Sequence, residues 1–283
     1  MKLLTLNTHS LQEEQYQKKL EEFVAGILQE KPDIIALQEV NQSMEGPLAG
    51  EDLRGGQFPL SCGRPIRQDN HAAQVAYALR QAGIDCSWAW LPIKLGYGKY
   101  EEGVAVLSLG RNISNVDVCF ISKTRDHHNW RTRAVLGVQT EGIADWFYTV
   151  HMGWWEDEEE PFSDQWERLH EHLAEKVTKE KIWLMGDFNG PDTISGQSYA
   201  CILASGWMDT YQMAREKDSG ITVSGVIDGW REKQKEQTAA GMRLDYIFCN
   251  QREQIDTSCV IFNGRNRPVV SDHFGVLIHV KEK

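Results

Sequence analysis

Lys181-Ile182-Trp183-Leu184-Met185-Gly186-Asp187-Phe188-Asn189 is an apolar run that ends abruptly in a carboxylate and an amide. Residues 181–185 have the length and composition of a buried strand. The Gly-Asp-x-Asn that follows puts Asp187 and Asn189 at its end. The same arrangement repeats outward from this point. A strand over 146–151 closes on His151. A strand over 244–249 carries Asp245 within Arg243-Leu244-Asp245-Tyr246-Ile247, and Ser271-Asp272-His273 leads into a last strand over 274–280. Near the N-terminus, Asn7 closes a strand over 3–7. Glu39 follows Ile34-Ile35-Ala36-Leu37-Gln38 in a strand over 33–40. Six separate elements thus each end in a group able to ligate a metal or carry a proton, and rigid element ends are where scaffolds hold reactive groups.

The rest of the chain reads as helices interspersed among strands. Ser10 and Glu13 have capping-box spacing. Leu20, Phe23, Val24, Ile27 and Leu28 follow at helical spacing, so a helix runs to about Glu30. Residues 46–63 are glycine-rich and read as loop. A helix is expected over 70–81, closed by Gly83. Others are expected over 164–178, with Ser163 as N-cap, and over 197–204. Further strands are expected over 103–109, 117–122, 134–139 and 258–262. No repeat, linker or low-complexity tract interrupts the pattern, so residues 1–283 read as a single domain. The fold class is α/β (α+β): two packed, mostly antiparallel sheets flanked by helices.

Composition narrows the function. Thirty Lys and Arg face forty-one Asp and Glu, a net charge of -11. Nucleic-acid binding draws much of its energy from Lys and Arg neutralising phosphates. No basic run is present here, and residues 156–160 form an acidic one, which argues against a large polyanion. None of the six cysteines forms a CxxC pair, so nothing points to zinc. The N-terminal apolar run is too short for a signal peptide, and no stretch approaches transmembrane length. A reduced, cytoplasmic protein is the simplest reading.

Taken singly, each polar strand end has a bland explanation. Asn7 alone would be a turn residue, Glu39 a solvated charge, and Asp187-Phe188-Asn189 an Asx turn. Gly-Asp-x-Asn and Ser-Asp-His together, in this order beside apolar strands, would arise in roughly one chain in a thousand on average composition. That combination, with Leu6-Asn7, Leu37-Gln38-Glu39-Val40, 103–108 and Val150-His151, resembles the endonuclease/exonuclease/phosphatase superfamily, the fold of deoxyribonuclease I and neutral sphingomyelinase, over essentially the whole chain. Gly275 departs from a Pro that many relatives carry. The resemblance implies a four-layer α/β/β/α sandwich with the site between the edges of two sheets. It implies a divalent-metal phosphoesterase in which Asp187 and Asn189 position nucleophile and scissile phosphate. It places a phosphate-binding Arg near Arg131, whose bland reading is a surface ion pair, and it has Glu102 orient His151.

Chemistry assigns the remaining roles. Magnesium, for which Mn²⁺ can substitute, wants hard oxygen ligands. Glu39 is the first of these, with Asn7 or Asp272 nearby. His273, oriented by Asp245 or Asp272, suits a general base. His151 suits a hydrogen bond to the phosphate or protonation of the leaving oxygen.

The loops beside these residues choose among phosphoesters. They carry Tyr97, Tyr100, Trp154 and Trp155 among acids, and 227–230 adds Trp230. Aromatic faces beside carboxylates suit a sugar, which stacks its C–H face and donates hydroxyl hydrogen bonds; core or interface packing is the competing explanation. Asn7-Thr8-His9-Ser10, Trp130-Arg131-Thr132-Arg133 and His151-Met152-Gly153-Trp154-Trp155 resemble the bacterial maltose 6'-phosphate phosphatase group. The expectation is therefore a monomeric phosphatase for a small sugar phosphate, with no nucleic-acid or membrane partner. A nuclease or abasic-site phosphodiesterase is the alternative.

Overall fold

Alternation along the strands decides the layering. The computed structural model of the chain describes residues 1–61, 64–154, 157–194, 196, 198–224 and 241–281. In chain order its main elements are β1 (Lys2–Asn7), α1 (Tyr16–Glu30), β2 (Ile34–Ser43), α2 (Glu51–Arg54), α3 (His71–Gln81), β3 (Cys86–Gly96), β4 (Tyr100–Leu109) and β5 (Ile113–Phe120). Then come β6 (Ala134–Thr140), β7 (Ile143–His151), α4 (Phe162–Leu173), β8 (Ile182–Asp187), α5 (Ser198–Ala204), β9 (Met208–Asp209), α6 (Thr210–Met213), β10 (Ala214–Lys217), β11 (Asp245–Cys249), β12 (Ile255–Ile261) and β13 (Gly275–Val280). One sheet has the order β10-β12-β13-β1-β2-β4-β3 and the other β5-β6-β7-β8-β11-β9.

Side chains of a strand point alternately to opposite faces. Leu4 and Leu6 of β1 and Ile35 and Leu37 of β2 therefore pack with Phe23 and Ile27 of α1 and Val75 and Leu79 of α3. Leu3, Ile34 and Ala36 point the other way, against Trp183 and Met185 of β8 and Ile247 of β11. On the far face of the second sheet, Leu184, Tyr246 and Phe248 meet Trp166 and Leu169 of α4 and Ile202 of α5. Three apolar layers thus separate helices, sheet, sheet and helices, which is the four-layer sandwich. Each fully buried large side chain contributes about 1.5–3 kcal/mol.

Connection chemistry sets the polarity of the site. β1–β2 and β7–β8 are parallel pairs, bridged by α1 and α4, so the C-terminal ends of all four strands lie at one edge of the sandwich. β11 and β13 run antiparallel to β8 and β1, which brings their N-terminal ends to the same edge. The sheets are mixed, with antiparallel pairs in the majority.

Several local expectations are corrected. Ser10 opens a short 3-10 turn, and α1 starts only at Tyr16; Glu13 spends its carboxylate on His9 and Lys19 and caps nothing. α4 starts at Phe162 behind Pro161, so Ser163 lies inside the helix, and it ends at Leu173. The stretch 46–63 holds the short α2. β3 is not among the strands expected from the sequence, and Pro92 lies within it. It is an edge strand with an irregular register between Pro92 and Lys94, where a ring without N–H is tolerated.

Candidate active site

Four of the expected residues reach the space between the sheets by simple alternation. Asn7 shares its face with Leu3, His151 with Phe147, Asp187 with Trp183 and Met185, and Asp245 with Ile247 and Cys249. Register aligns them side by side, His151 opposite Asp187 across β7–β8 and Asp245 opposite Asp187 across β8–β11. His273 arrives on the turn into β13.

Glu39 gets there differently. By parity it belongs with Ile35 and Leu37 on the helix-facing side. A bulge between Leu37 and Val40, with Glu39 in the left-handed region at φ 50°, turns its carboxylate into the cleft. Such a backbone is strained for a non-glycine residue and tends to mark functional positions. Gly186 is a second special position: at φ 154°, a Cβ there would lie 1.9 Å from the Val150 carbonyl oxygen. Only glycine lets β7 and β8 approach this closely beside His151 and Asp187.

The side chains form one connected set. Asn7 Nδ2 donates to Glu39 Oε1 at 3.0 Å and to Asp187 Oδ2 at 3.1 Å. His273 Nδ1 lies 2.9 Å from Asp245 Oδ2, and Nε2 lies 3.9 Å from Asp187 Oδ2. His151 Nε2 is 3.7 Å from the same Asp187 oxygen. The Asn189 backbone N–H donates to Asp187 Oδ1 at 2.8 Å, the Asx turn legible in the sequence, and its Nδ2 donates to Met152 O. His9 bridges Glu13 at 2.8 Å and the Tyr97 hydroxyl at 3.0 Å, with Asp272 at 4.0 Å.

Burial and crowded charge separate the titrations. Burial pushes the Asp187 carboxyl up to about 7; His273, Asn189 and Asn7 pull it down and Asp245 pushes it further up. Burial would lower His273, but the Asp245 and Asp187 carboxylates overcome it and hold the imidazole well above its ordinary value. His151 goes the other way, lowered well below its ordinary value by burial and by nearby Arg133, Lys94 and His273. Burial, then Glu102 and Asp272, raise Glu39.

Glu39, His151, Asp187, Asn189, Asp272 and His273 line a cleft of about 400 Å³ with Tyr97 and Trp154. Two expected contributors, Arg131 and Tyr100, do not line the cleft, and Glu102 lines it without orienting His151. Arg131 does not line the cleft: it donates to Asp157 Oδ2 at 2.7 Å, pairs with Glu159 at 3.2 Å and stacks on the Trp130 ring. The acidic run nearby supplies its partners. The Tyr100 hydroxyl donates to Leu11 O at 3.1 Å, away from the cleft. Glu102 pairs with Lys94 at 3.1 Å, and the carboxylate nearest His151 is Asp187. Trp155 and Trp230 lie outside the described residues. In their place the cleft is lined by Trp130, Lys94 and Arg133. Lys94 sits on the unexpected strand β3. Arg133 lies two residues beyond Arg131, and the position of the acidic run distinguishes the two.

The donor set fits a divalent metal. The carboxylates of Glu39, Glu102, Asp187 and Asp272 converge on one cleft, and half-buried Glu39 has hydrogen bonds only from Asn7 and Tyr97 among the described residues. Ligand atoms of Asp187, Asp245 and His273 lie within 4.8 Å of one another, as do those of His9, Glu13 and Asp272. Hard oxygen donors in excess are what Mg²⁺ or Mn²⁺ require.

The sequence profile described as the Endonuclease/Exonuclease/phosphatase family matches residues 4–273. The chain belongs to this family. Its members are hydrolases, phosphoesterases that generally depend on a divalent metal. An endonuclease/exonuclease/phosphatase family protein from Leptotrichia buccalis C-1013-b is 32% identical over 100% of both chains, with a TM-score of 0.83. The same fold recurs in a mannosyl-6-phosphatase of Bacteroides thetaiotaomicron VPI-5482, 15% identical over 100% of both chains at a TM-score of 0.69. It recurs again in a 3' phosphatase from Neisseria bound to a product DNA hairpin, 18% identical over 100% of both chains at 0.61. A search of curated protein sequences found no match. No helix among the described residues is long and apolar enough to cross a membrane.

Proposed function

We propose that this chain is a Mg²⁺-dependent phosphatase that hydrolyses a small sugar phosphate monoester, maltose 6'-phosphate being the favoured disaccharide phosphate, to free sugar and inorganic phosphate. The observation that carries the reading is an aromatic rim on an acidic floor. Tyr97, Trp130 and Trp154 line the same cleft of about 400 Å³ as His151, Asp187 and His273. Its volume suits a small ligand. Trp130 is 53% exposed and Tyr97 44%, so the exposed part of each ring can meet the C–H surface of a sugar, while the carboxylates accept hydroxyl hydrogen bonds. The net charge of -11 opposes a polyanion. The mannosyl-6-phosphatase on the same fold supports a sugar phosphate.

In this reading Glu39, with Asn7 and Asp272, would hold the metal, which when bound polarises phosphoryl oxygens and offsets developing negative charge. Asp187, near neutrality in its affinity for a proton, accepts one from the attacking water. His273, fixed by Asp245, is the adjacent cation that stabilises the phosphoryl oxygens. His151, held neutral, donates a hydrogen bond to the phosphate, and Asn189 positions it. Water attacks phosphorus, the P–O ester bond breaks, and the sugar oxygen leaves as the alcohol with the proton that Asp187 took from the water. Mn²⁺ would substitute for Mg²⁺, and the enzyme would act as a cytoplasmic monomer.

Phosphate release from a panel of sugar phosphates and from p-nitrophenyl phosphate, beside cleavage of plasmid and abasic DNA, tests this. Disaccharide and hexose phosphates should be the best substrates, and Trp154→Ala should raise KM for them more than for p-nitrophenyl phosphate. Efficient DNA cleavage with no phosphate released from any sugar phosphate would replace the reading with a nuclease.

A further inference from the structure

One wall of the cleft carries two cations, Lys94 and Arg133, and among the described residues only Lys94 has a carboxylate in direct contact. Arg133 is buried, 7% exposed, yet lines the cleft. Its Nη1 donates to the carbonyls of Trp130 at 2.7 Å and Thr132 at 3.1 Å. Its Nε has no hydrogen-bond partner among the described residues, and the nearby carboxylates of Glu102, Glu39 and Asp187 act on the guanidinium through space without hydrogen-bonding it. Lys94 reaches the same place from β3. Its Nζ donates to the same Trp130 carbonyl at 3.3 Å and pairs with Glu102 at 3.1 Å. The irregular register at Pro92 puts Lys94 opposite Glu102, on the face between the sheets.

Two cations that share one acceptor repel each other, and a buried guanidinium with an unsatisfied N–H and no carboxylate in direct contact is poorly compensated. The fold nevertheless packs both beside His151. An anion arriving in the cleft would relieve both problems at once. A phosphate monoester at neutral pH carries a charge near −2 and three free oxygens, whereas a diester carries a single charge and two. Guanidinium forks bind such oxygens in pairs.

We propose that Lys94 and Arg133 grip the terminal oxygens of a phosphate monoester dianion and so make this cleft select monoesters over diesters. The proposal rests on reading the cleft as a phosphoesterase site; it does not depend on the alcohol being a sugar.

The test uses the full chain with Arg133→Met, Lys94→Met and Arg133→Lys, each checked for folding by circular dichroism. Two readouts are taken: kcat/KM on p-nitrophenyl phosphate against bis-p-nitrophenyl phosphate, and the Kd of inorganic phosphate by calorimetry. The wild type should prefer the monoester. Each neutralising variant should lose about 10- to 100-fold on the monoester, the range for a hydrogen bond to a charged group. It should lose clearly less on the diester and bind inorganic phosphate correspondingly weakly, while Arg133→Lys recovers part of the loss. Equal losses on the two esters, or an unchanged phosphate Kd in a folded variant, would overturn the proposal. If Arg133→Met does not fold, Lys94→Met on the more open side chain decides. If the chain hydrolyses neither sugar phosphates nor p-nitrophenyl phosphate, the phosphatase reading fails, and the phosphate Kd still decides the anion site independently.

Discussion

Gly186→Ala should separate the catalytic strands without altering a single reactive group. A Cβ at 186 lies 1.9 Å from Val150 O and 2.8 Å from Val150 C. Real Cβ contacts essentially never fall below 3.0 Å, so β7 and β8 must part by a little over 1 Å. Val150 pairs with Gly186, and the next register pair is His151 and Asp187. The displacement therefore falls on the 3.7 Å separation of His151 Nε2 from Asp187 Oδ2. Misplacement by about 1 Å costs on the order of 100-fold in rate. Overpacking of this kind costs about 1–3 kcal/mol of stability, which at about 2–4 °C per kcal/mol for a chain of this size lowers Tm by roughly 2–12 °C. The assay is kcat at saturating concentration of the best substrate from the phosphate panel, measured well below the variant's Tm, beside Gly83→Ala. Gly83 also has a positive φ, 82°, but nothing lies within 4 Å of its Cβ position. That control suffers the backbone strain without the clash and should keep its rate. A folded Gly186→Ala enzyme with kcat within a few-fold of wild type would refute the strand-separation argument.

Other outcomes follow from named contacts. EDTA should abolish activity, and Glu39→Gln should lose most activity at low Mg²⁺ and regain part at high Mg²⁺; full activity in the chelated protein would exclude the metal. His273→Ala should fold and lose about 10² to 10³ in turnover, as on removal of a group that stabilises charge in the transition state, and Asp245→Asn should approach that loss because the 2.9 Å contact orients the ring; near-wild-type turnover in either would remove the pair from the mechanism. Burial pushes the His71 imidazole down to about 3, against about 6.5 when unfolded. The unfolded chain then binds one more proton across that window, so stability falls as pH drops from 6.5 toward 3, by up to about 1.4 kcal/mol per pH unit from this group. His71→Gln, which keeps a partner for the Tyr16 hydroxyl at 3.0 Å, should flatten that slope in urea titrations at pH 6 and 4.5; parallel slopes would show that His71 does not titrate this way.

Much of this architecture is local in origin and could be read without the fold. Continuous apolar runs at 3–7, 146–151, 181–185 and 244–249 mark strands because each face of a sandwiched strand packs against a different apolar layer. Polar residues that close those strands stand out because the apolar run stops at them. Family membership was legible for the same reason, in Gly186-Asp187-Phe188-Asn189 and Ser271-Asp272-His273. What tertiary structure alone decided were the positions where local rules fail. Glu39 has the wrong parity for the cleft and enters it through a bulge, and Lys94 does so through an irregular register beside a proline. A bulge exists only relative to a partner strand, so no single strand announces it. The arginines at 131 and 133 share a sequence context. Asp157 and Glu159, brought close by the return of the chain after β7, hold the first on the surface and leave the second facing the cleft. Strand periodicity is a property of neighbours in sequence, whereas charge pairing and register are set by neighbours in space.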